Sequence, residues 1–275
     1  MEKGILYLVA TPIGNLEDMT FRAVRILKEV DLILAEDTRK TLKLLNHFEI
    51  SKKMISFYRH NEGVKLDYVI SLLEEGKNLA VVSDAGTPGI SDPGEDLVKA
   101  AIEREVMIIP IPGSVAFIQG LIASGFDTTR FAFEGFLSIN KRVRKERLTE
   151  LKEEQRTIIF YEAPHKLKRT ISDLKDAFGG ERRIVLAREL TKIHEEFLRM
   201  TLEEAEKYYD EKEIKGEFVV LVEGAKMEPA VCEKTIDELM EEAIESGLEK
   251  KEAMKKVAKE KGISKSEVYK YLLDK

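Results

Sequence analysis

The sequence predicts an α/β fold built as two α/β lobes and closed by a small C-terminal helical domain. Three observations carry that prediction. Short apolar runs bounded by Gly, Pro and Asp recur as far as Val222, stretches with apolar residues at helical spacing fill many of the gaps, and after Gly224 the strand-like runs stop.

Taken in order, Ile5 to Thr11, Leu32 to Glu36, Met54 to Tyr58, Leu79 to Asp84 and Val106 to Pro112 read as the strands of the first lobe. Between them, Ala23, Val24, Leu27 and Val30, and then Val69, Leu72 and Leu73, repeat at the three- and four-residue spacing of one helix face. Strand alternating with helix implies a largely parallel sheet covered on both sides. The second lobe takes its strands from Phe131 to Phe136, Thr157 to Tyr161, Ile184 to Ala187, Phe197 to Thr201 and Phe218 to Val222, with helices near Val143 to Glu154 and Lys166 to Ala177. Its later strands lie too close together for crossover helices, so this sheet is expected to be partly antiparallel. Ala225-Lys226-Met227-Glu228-Pro229 reads as a linker, and the remainder as three helices. The domains are therefore drawn at 1–115, 116–226 and 230–275, with the lobe boundary falling between residues 113 and 128.

A chain of 275 residues accommodates two such lobes and an appendage. Its 43% hydrophobic against 35% charged composition excludes a mainly disordered protein. Apolar runs such as Val106 to Pro112 fall far short of the ~20 residues of a membrane helix, and Glu2-Lys3-Gly4 leads into strand-like sequence without an apolar export segment. A soluble, cytoplasmic protein is expected. The single cysteine, Cys232, permits no internal disulfide and no cysteine cluster for zinc, which suits a reducing compartment. His47, His60 and His194 have no ligand spacing, so no metal is expected. The net charge of −6 argues against uniform nucleic-acid binding but leaves room for local basic patches.

In parallel sheets ligands bind beyond the carboxyl ends of the strands, so the loops there are the place to search. The first strand runs into Thr11-Pro12-Ile13-Gly14-Asn15, a turn that brings backbone amides toward a ligand but lacks the dinucleotide fingerprint. Glu36-Asp37-Thr38-Arg39 follows the second strand; it offers two carboxylates and a guanidinium, and equally a cap for the next helix. The fourth strand ends in Ser83-Asp84-Ala85-Gly86-Thr87-Pro88-Gly89-Ile90-Ser91-Asp92-Pro93-Gly94, where three glycines, two prolines and two aspartates crowd into twelve residues. That density exceeds what a surface turn requires, and Asp84 is placed to accept from a ribose or an ammonium. Pro112-Gly113-Ser114-Val115-Ala116 leads into a helix whose small first residues suit a flat ring or a carboxylate, while a plain cap by Ser114 accounts for them as well. In the second lobe, Tyr161-Glu162-Ala163-Pro164-His165 and Ala187-Arg188-Glu189-Leu190-Thr191 end strands; behind Pro164, His165 reads as a helix-start residue before a base.

Two segments are basic. Lys141-Arg142-Val143-Arg144-Lys145-Glu146-Arg147 packs five cations into seven residues, either a solvated helix face or a grip on phosphates. From Lys250 to Lys275 nine lysines face four acids, and Ala253, Val257 and Ala258, then Gly262, then a helix opening at Ser264 give a helix-turn-helix pattern. Such pairs also serve simply to pack against a neighbour.

Together, Ala10 to Asn15, Glu36 to Arg39, Ser83 to Gly94, Tyr161 to His165 and Ala187 to Thr191 resemble the tetrapyrrole methylase superfamily, in particular its branch acting on small-subunit ribosomal RNA. The motifs stand in the family's order over nearly the whole chain, and the basic helices resemble the small C-terminal domain of that branch. The resemblance implies a cleft between the lobes for S-adenosylmethionine, with Pro12, Gly14, Asp84, Ala85, Gly86, Thr87, Ser114, Val115, Ala116, Tyr161, Ala163 and Leu190 around it. It also implies 2′-O-methylation of a cytidine ribose in the decoding region of 16S ribosomal RNA, and a homodimer. Two positions depart from the family's pattern. Relatives carry Pro-Gly-Pro-Ser-Ala where this chain has Pro112-Gly113-Ser114-Val115-Ala116, and Ser138 stands where they tend to have proline.

Methyl transfer to a ribose hydroxyl needs alignment of two bound substrates and removal of a proton, with no metal or covalent intermediate required. Glu36, Asp37, Arg39, Arg188 and Glu189 are the candidates for that chemistry, Arg39 holding a phosphate or the developing alkoxide. Lys141, Arg142, Arg144, Lys145, Arg147, Lys265 and Lys270 are the candidates for RNA contact. Two rivals remain at this level: a methylase of the same superfamily acting on a porphyrin-like ring, which would need a broad apolar trough, and a ligand-sensing DNA-binding regulator.

Overall fold

The computed structural model describes residues 2–58, 62–210, 212–226 and 234–273, and the chain divides into two compact units, 1–224 and 225–275. His60, Cys232 and most of the linker (227–229) lie outside the described residues.

The first unit holds two five-stranded sheets. Strands β1 (Ile5–Val9), β2 (Leu32–Ala35), β3 (Met54–Ser56), β4 (Leu79–Val82) and β5 (Met107–Ile111) form a wholly parallel sheet in the order β3-β2-β4-β1-β5. Apolar residues cover both of its faces. On one side Ala23 and Leu27 of α1 (Phe21–Glu29) and Leu45 of α2 (Thr38–His47) pack with Val9, Ile33 and Val82. On the other, Val69 and Leu73 of α3 (Glu62–Glu74) and Leu97 and Ala101 of α4 (Glu95–Glu103) pack with Leu6, Leu34 and Val81. Burial on both faces explains why β2 and β4 are apolar at every position.

The second sheet contains β6 (Phe131–Phe136), β7 (Thr157–Glu162), β8 (Arg183–Arg188), β9 (Glu196–Thr201) and β10 (Phe218–Val222) in the order β6-β7-β10-β8-β9. Only β6 and β7 pair in parallel; the other pairings are antiparallel, as the short connections require. Helix α5 (Ala116–Ser124) packs Phe117 and Leu121 on one face, against Ile159, Val185 and Leu221. The opposite face, with Phe160, Leu186 and Val220, is covered by α7 (Pro164–Phe178), α8 (Leu202–Asp210) and Leu148 of α6 (Lys141–Glu150). Adjacent strand residues thus enter different cores, the consequence of a two-residue period.

Several strands stop earlier than their apolar patterns suggest. β1, β2 and β4 end at Val9, Ala35 and Val82, because Thr11, Glu36 and Asp84 turn into the loops that carry polar groups. Helix α6 starts at Lys141, two residues before the expected onset, since Asn140 caps it by accepting from the Arg142 and Val143 amides; beyond Glu150 it tightens into a 3-10 turn, Leu151–Glu153.

The second unit holds α9 (Ile236–Glu245), α10 (Lys250–Lys261) and α11 (Lys265–Leu273) around a core that includes Leu239, Met240, Ala253, Val257 and Val268. Thr235 and Glu238 form a capping box before α9, Gly262 closes α10 in the left-handed region at φ 65°, and Ser264 and Glu267 exchange cap bonds before α11. The basic character belongs to α10 and α11 only. α9 is acidic, and over 230–275 eleven acids balance ten lysines, so the expectation of a basic domain narrows to its last two helices. Among the described residues, no helix is long and apolar enough to cross a membrane, and no group of three or more His, Cys, Asp or Glu is arranged to hold a metal ion.

Candidate active site

Loops beyond β1, β4 and β5 face the ends of β6, β7 and β8 and the start of β10 around a cavity of about 470 Å³, within the roughly 300–1,000 Å³ range of small-molecule sites. The three loops of the first sheet are tied together. Thr11 and Gly86 exchange backbone hydrogen bonds of 2.8 and 3.0 Å, and the Thr87 hydroxyl donates to the Ser114 carbonyl at 3.1 Å. Glycine is required at two of these points: Gly86 sits at φ 83°, and a Cβ on Gly113 would lie 2.7 Å from the Ala10 side chain. Ser114 does not cap α5. The cap position belongs to Val115 without a side-chain bond, and the Phe117 amide donates instead to the Tyr161 hydroxyl at 3.3 Å. Burial pushes the Tyr161 phenol up to about 12.

Ile13, Ile90, Val115, Leu190 and Val219 supply apolar walls, and Ser91, Asp92, Glu162, His165, Lys192 and Glu217 supply polar edges. Glu162 is only 4% exposed, and an isolated carboxylate there would be costly. Its oxygens accept from the Ala163 amide and the Thr170 hydroxyl; Thr170 in turn accepts from Arg144, whose guanidinium also pairs with Asp173. A buried polar chain therefore joins the cavity wall to α6.

A second cavity of about 220 Å³ lies along the same loops, lined by Thr11, Pro12, Gly14, Leu16, Lys40, Thr41, Lys43, Leu44, Ser83 and Asp84. This divides the expected cofactor residues. Ala85, Gly86, Thr87, Val115, Ala116, Tyr161, Ala163 and Leu190 line the larger cavity, whereas Pro12, Gly14 and Asp84 line the smaller one. Within one short turn, neighbouring residues serve different cavities: Ile13 lines the large one, and Pro12 and Gly14 the small one.

Glu36, Asp37 and Arg39 line neither cavity; Glu36 and Asp37 bond to Asp84 on the wall of the smaller one. Asp84 accepts from the Asp37 amide at 3.0 Å and from Lys40 Nζ at 2.7 Å, while its own amide donates to Glu36 at 3.1 Å. Asp37 caps α2 and also holds the Arg39 guanidinium through two bonds, of 3.1 and 2.7 Å. Those bonds hold the Asp37 carboxyl well below the usual carboxylate range, and the bond to Asp84 raises Lys40. The capping reading of this segment is the one met, by Asp37.

Arg188 and Glu189 line neither cavity. Arg188 donates to the Lys215 carbonyl and pairs with Glu196. Glu189 accepts from Lys192 Nζ and the Glu217 amide, each at 2.9 Å. Lys192 and Glu217, which the sequence reading passed over, line the large cavity and pair at 2.9 Å. Strain collects here: Glu189 and Thr191 have φ of 50° and 67°, and the stem of Lys192 lies against Gly14, where a Cβ would come within 2.5 Å of it. The strand-end motif pointed to this loop, but no spacing in the sequence links Lys192 to Glu217, which precedes a different strand.

Of the five cations around α6, Lys141, Arg142 and Lys145 line an outward groove with Glu146 and Thr149, and Arg142 pairs with Glu146. Arg147 is held by Glu134 and Glu150. Arg144 is buried at 5% exposure, so the expected phosphate contact is replaced by the internal bonds to Thr170 and Asp173. In the second unit Lys270 is exposed and Lys265 half-buried.

A family model, Tetrapyrrole (Corrin/Porphyrin) Methylases, matches residues 5–206. The chain is 49% identical over 273 residues to Ribosomal RNA small subunit methyltransferase I of Synechocystis sp., with 98% of each chain covered. It is 50% identical over 273 residues to the protein of the same name from Halalkalibacterium halodurans, covering 98% of this chain and 94% of the other. Among solved structures it is similar to uroporphyrin-III C-methyltransferase of Thermus thermophilus complexed with S-adenosylhomocysteine. There the TM-score is 0.57 at 15% identity, over 79% of this chain and 97% of that one, a likeness of fold. Two sheets of matching architecture, a cavity between strand-end loops, the family model and near-full-length relatives lead to one assignment: the chain belongs to the tetrapyrrole methylase family.

Proposed function

We propose that the chain is an S-adenosylmethionine-dependent methyltransferase of small-subunit ribosomal RNA, acting on the 2′-oxygen of a cytidine ribose in the decoding region of 16S RNA. The observation that carries the reading is the large cavity, built from the motif loops of a chain whose relatives bear the name of a ribosomal RNA methyltransferase over almost their full length. Its residues fit the donor. Apolar faces at Val115, Leu190 and Val219 suit an adenine ring, and the backbone at Gly86, on the cavity wall, leaves polar main chain near a ribose or a carboxylate. When bound, the donor supplies an electrophilic sulfonium methyl.

The protein's own residues then position, exclude water and handle one proton. Asp37, held ionised by Arg39, is a poor proton acceptor and serves to orient that guanidinium near the nucleotide. Lys141, Arg142 and Lys145, with Lys265 and Lys270, supply the phosphate contacts. We further place two copies in the working enzyme. Phe21 and Ile193, each 98% exposed, are the apolar side chains such an interface would cover, and light scattering showing a monomer at micromolar concentration would reject it.

The test is incubation with labelled S-adenosylmethionine and either undermethylated small ribosomal subunits or a uroporphyrinogen substrate. Label in the ribosomal RNA is expected. Label only in the tetrapyrrole would assign the chain to the porphyrin-type chemistry of the family, and no label in either would reject both readings.

A further inference from the structure

The two cavities use opposite sides of the same two loops. Residues 83 and 84 face the small cavity and 85–87 the large one, and the Thr11–Gly86 bridge pins the loops where they meet. A transferase that joins two bound molecules needs two sites whose reacting atoms approach within roughly 3–3.5 Å. The two cavities are neighbours through the loops they share, Ala85 lining one and Asp84 the other. We propose that the small cavity receives the single nucleotide to be methylated, unstacked from the RNA, with Asp84 and Lys40 acting on its ribose hydroxyl. The proposal rests on the methyltransferase reading above and adds to it the substrate site and two catalytic residues.

The chemistry of the walls matches one pyrimidine nucleotide. At about 220 Å³ the cavity is of the size of one base and its sugar. Pro12, Leu16 and Leu44 offer apolar faces for a base turned out of its stack, as single-stranded RNA is commonly read. Lys43, exposed on α2, stands at the rim as a phosphate contact. On the wall, Asp84 and Lys40 form an acceptor and a cation 2.7 Å apart. Each Asp84 oxygen accepts one bond within the protein, and a carboxylate offers about four lone-pair sites in all, so further acceptor capacity remains.

The step balances as follows. The 2′-O–H bond breaks and its proton passes to the Asp84 carboxylate. The freed electron pair on oxygen forms the new O–CH₃ bond, and the S–CH₃ bond breaks with its electrons to sulfur, leaving a neutral thioether. Negative charge that develops on oxygen before bond formation is stabilised by the Lys40 ammonium. The bond from Asp84 raises Lys40, so it remains a cation at neutral pH.

Variants of the full chain at three positions test this, with undermethylated small subunits as substrate and calorimetric binding of S-adenosylmethionine as the parallel readout. Leu44→Trp fills the slot and is expected to raise the KM for subunits at least tenfold. Lys40→Met is expected to lower kcat about a hundredfold, the usual cost of removing one group that stabilises developing negative charge, with partial recovery in Lys40→Arg. Lys43→Ala is expected to weaken binding across RNA sequences and to reduce the salt slope of log affinity by about 0.7–0.9. Donor affinity should stay within twofold of wild type in all three. Normal KM and kcat in both Leu44→Trp and Lys40→Met overturn the proposal, as does loss of donor affinity in Leu44→Trp, because the small cavity would then belong to the donor. Wild-type protein in the same assay separates the two levels: without wild-type methylation the functional reading itself fails.

Discussion

Tyr161 shows how one side chain reports on the site. Its hydroxyl accepts the Phe117 amide at the start of α5, and its ring packs near Phe133 and Phe136. Tyr161→Phe removes that bond and should cost about 1 kcal/mol of stability and weaken donor binding, as calorimetry and urea unfolding would register. The phenol also has a pH signature. Raised in the folded state from 10 to about 12 by burial, it leaves stability unchanged below pH 10 and withdraws it as pH rises from 10 toward 12, since only the unfolded chain ionises readily there. Tyr209, buried in the core below the second sheet, is raised to about 12 as well. Tyrosinate absorbance should therefore contain a late component, from these two phenols, that rises only toward pH 12; absence of that component would contradict this placement. At this scale the sequence was partly legible. The loop at Ser83–Gly94 announced itself by composition, and Asp37 by its place before a helix. Which cavity each loop residue serves was not legible, because that depends on how two distant loops pair.

Helix α6 carries the lesson for elements. Its five cations read alike in sequence, yet Arg144 is internal, and only its three-dimensional neighbours Thr170 and Asp173, on another helix, distinguish it from Lys145. Periodicity located every strand among the described residues and missed ends by one or two residues, because polar residues end some ladders, as Glu36 does after β2, and join others, as Arg183 and Arg188 do in β8. The buried chain from Glu162 through Thr170 to Arg144 fixes α6 to the wall of the large cavity. Breaking it by Arg144→Met should cost about 1–3 kcal/mol, because the buried Thr170 hydroxyl loses its donor while the partly exposed Asp173 is left to solvent. Thr170→Val should cost about 1–3 kcal/mol by leaving two polar groups short of a bond. Urea denaturation measures both, and wild-type midpoints in both would show that the chain contributes nothing to stability.

For the whole molecule, the two compact units divide the labour of the proposed reaction. The large unit contains both cavities, so donor binding should survive removal of 230–275. RNA affinity should fall, and its salt dependence should become shallower, because lysines of α10 and α11 are lost while the acidic α9 contributes no phosphate contact. Equal affinity and equal salt slope with and without the helices would remove them from the interface. The division itself was legible in the sequence through the end of strand-like runs near Gly224; the near-neutral charge of the complete helical unit was hidden by reading only its last stretch.

The central claim concerns where the methyl group goes, and mapping it on the RNA is the most direct test. Small subunits labelled by the enzyme would be stripped of protein and their RNA cleaved in alkali, where a 2′-O-methyl group blocks attack of that oxygen on the adjacent phosphate. A labelled, alkali-resistant linkage at a cytidine of the decoding region is the expected result. Label released on a mononucleotide, as base methylation would give, or an alkali-resistant linkage elsewhere in the RNA, would contradict it.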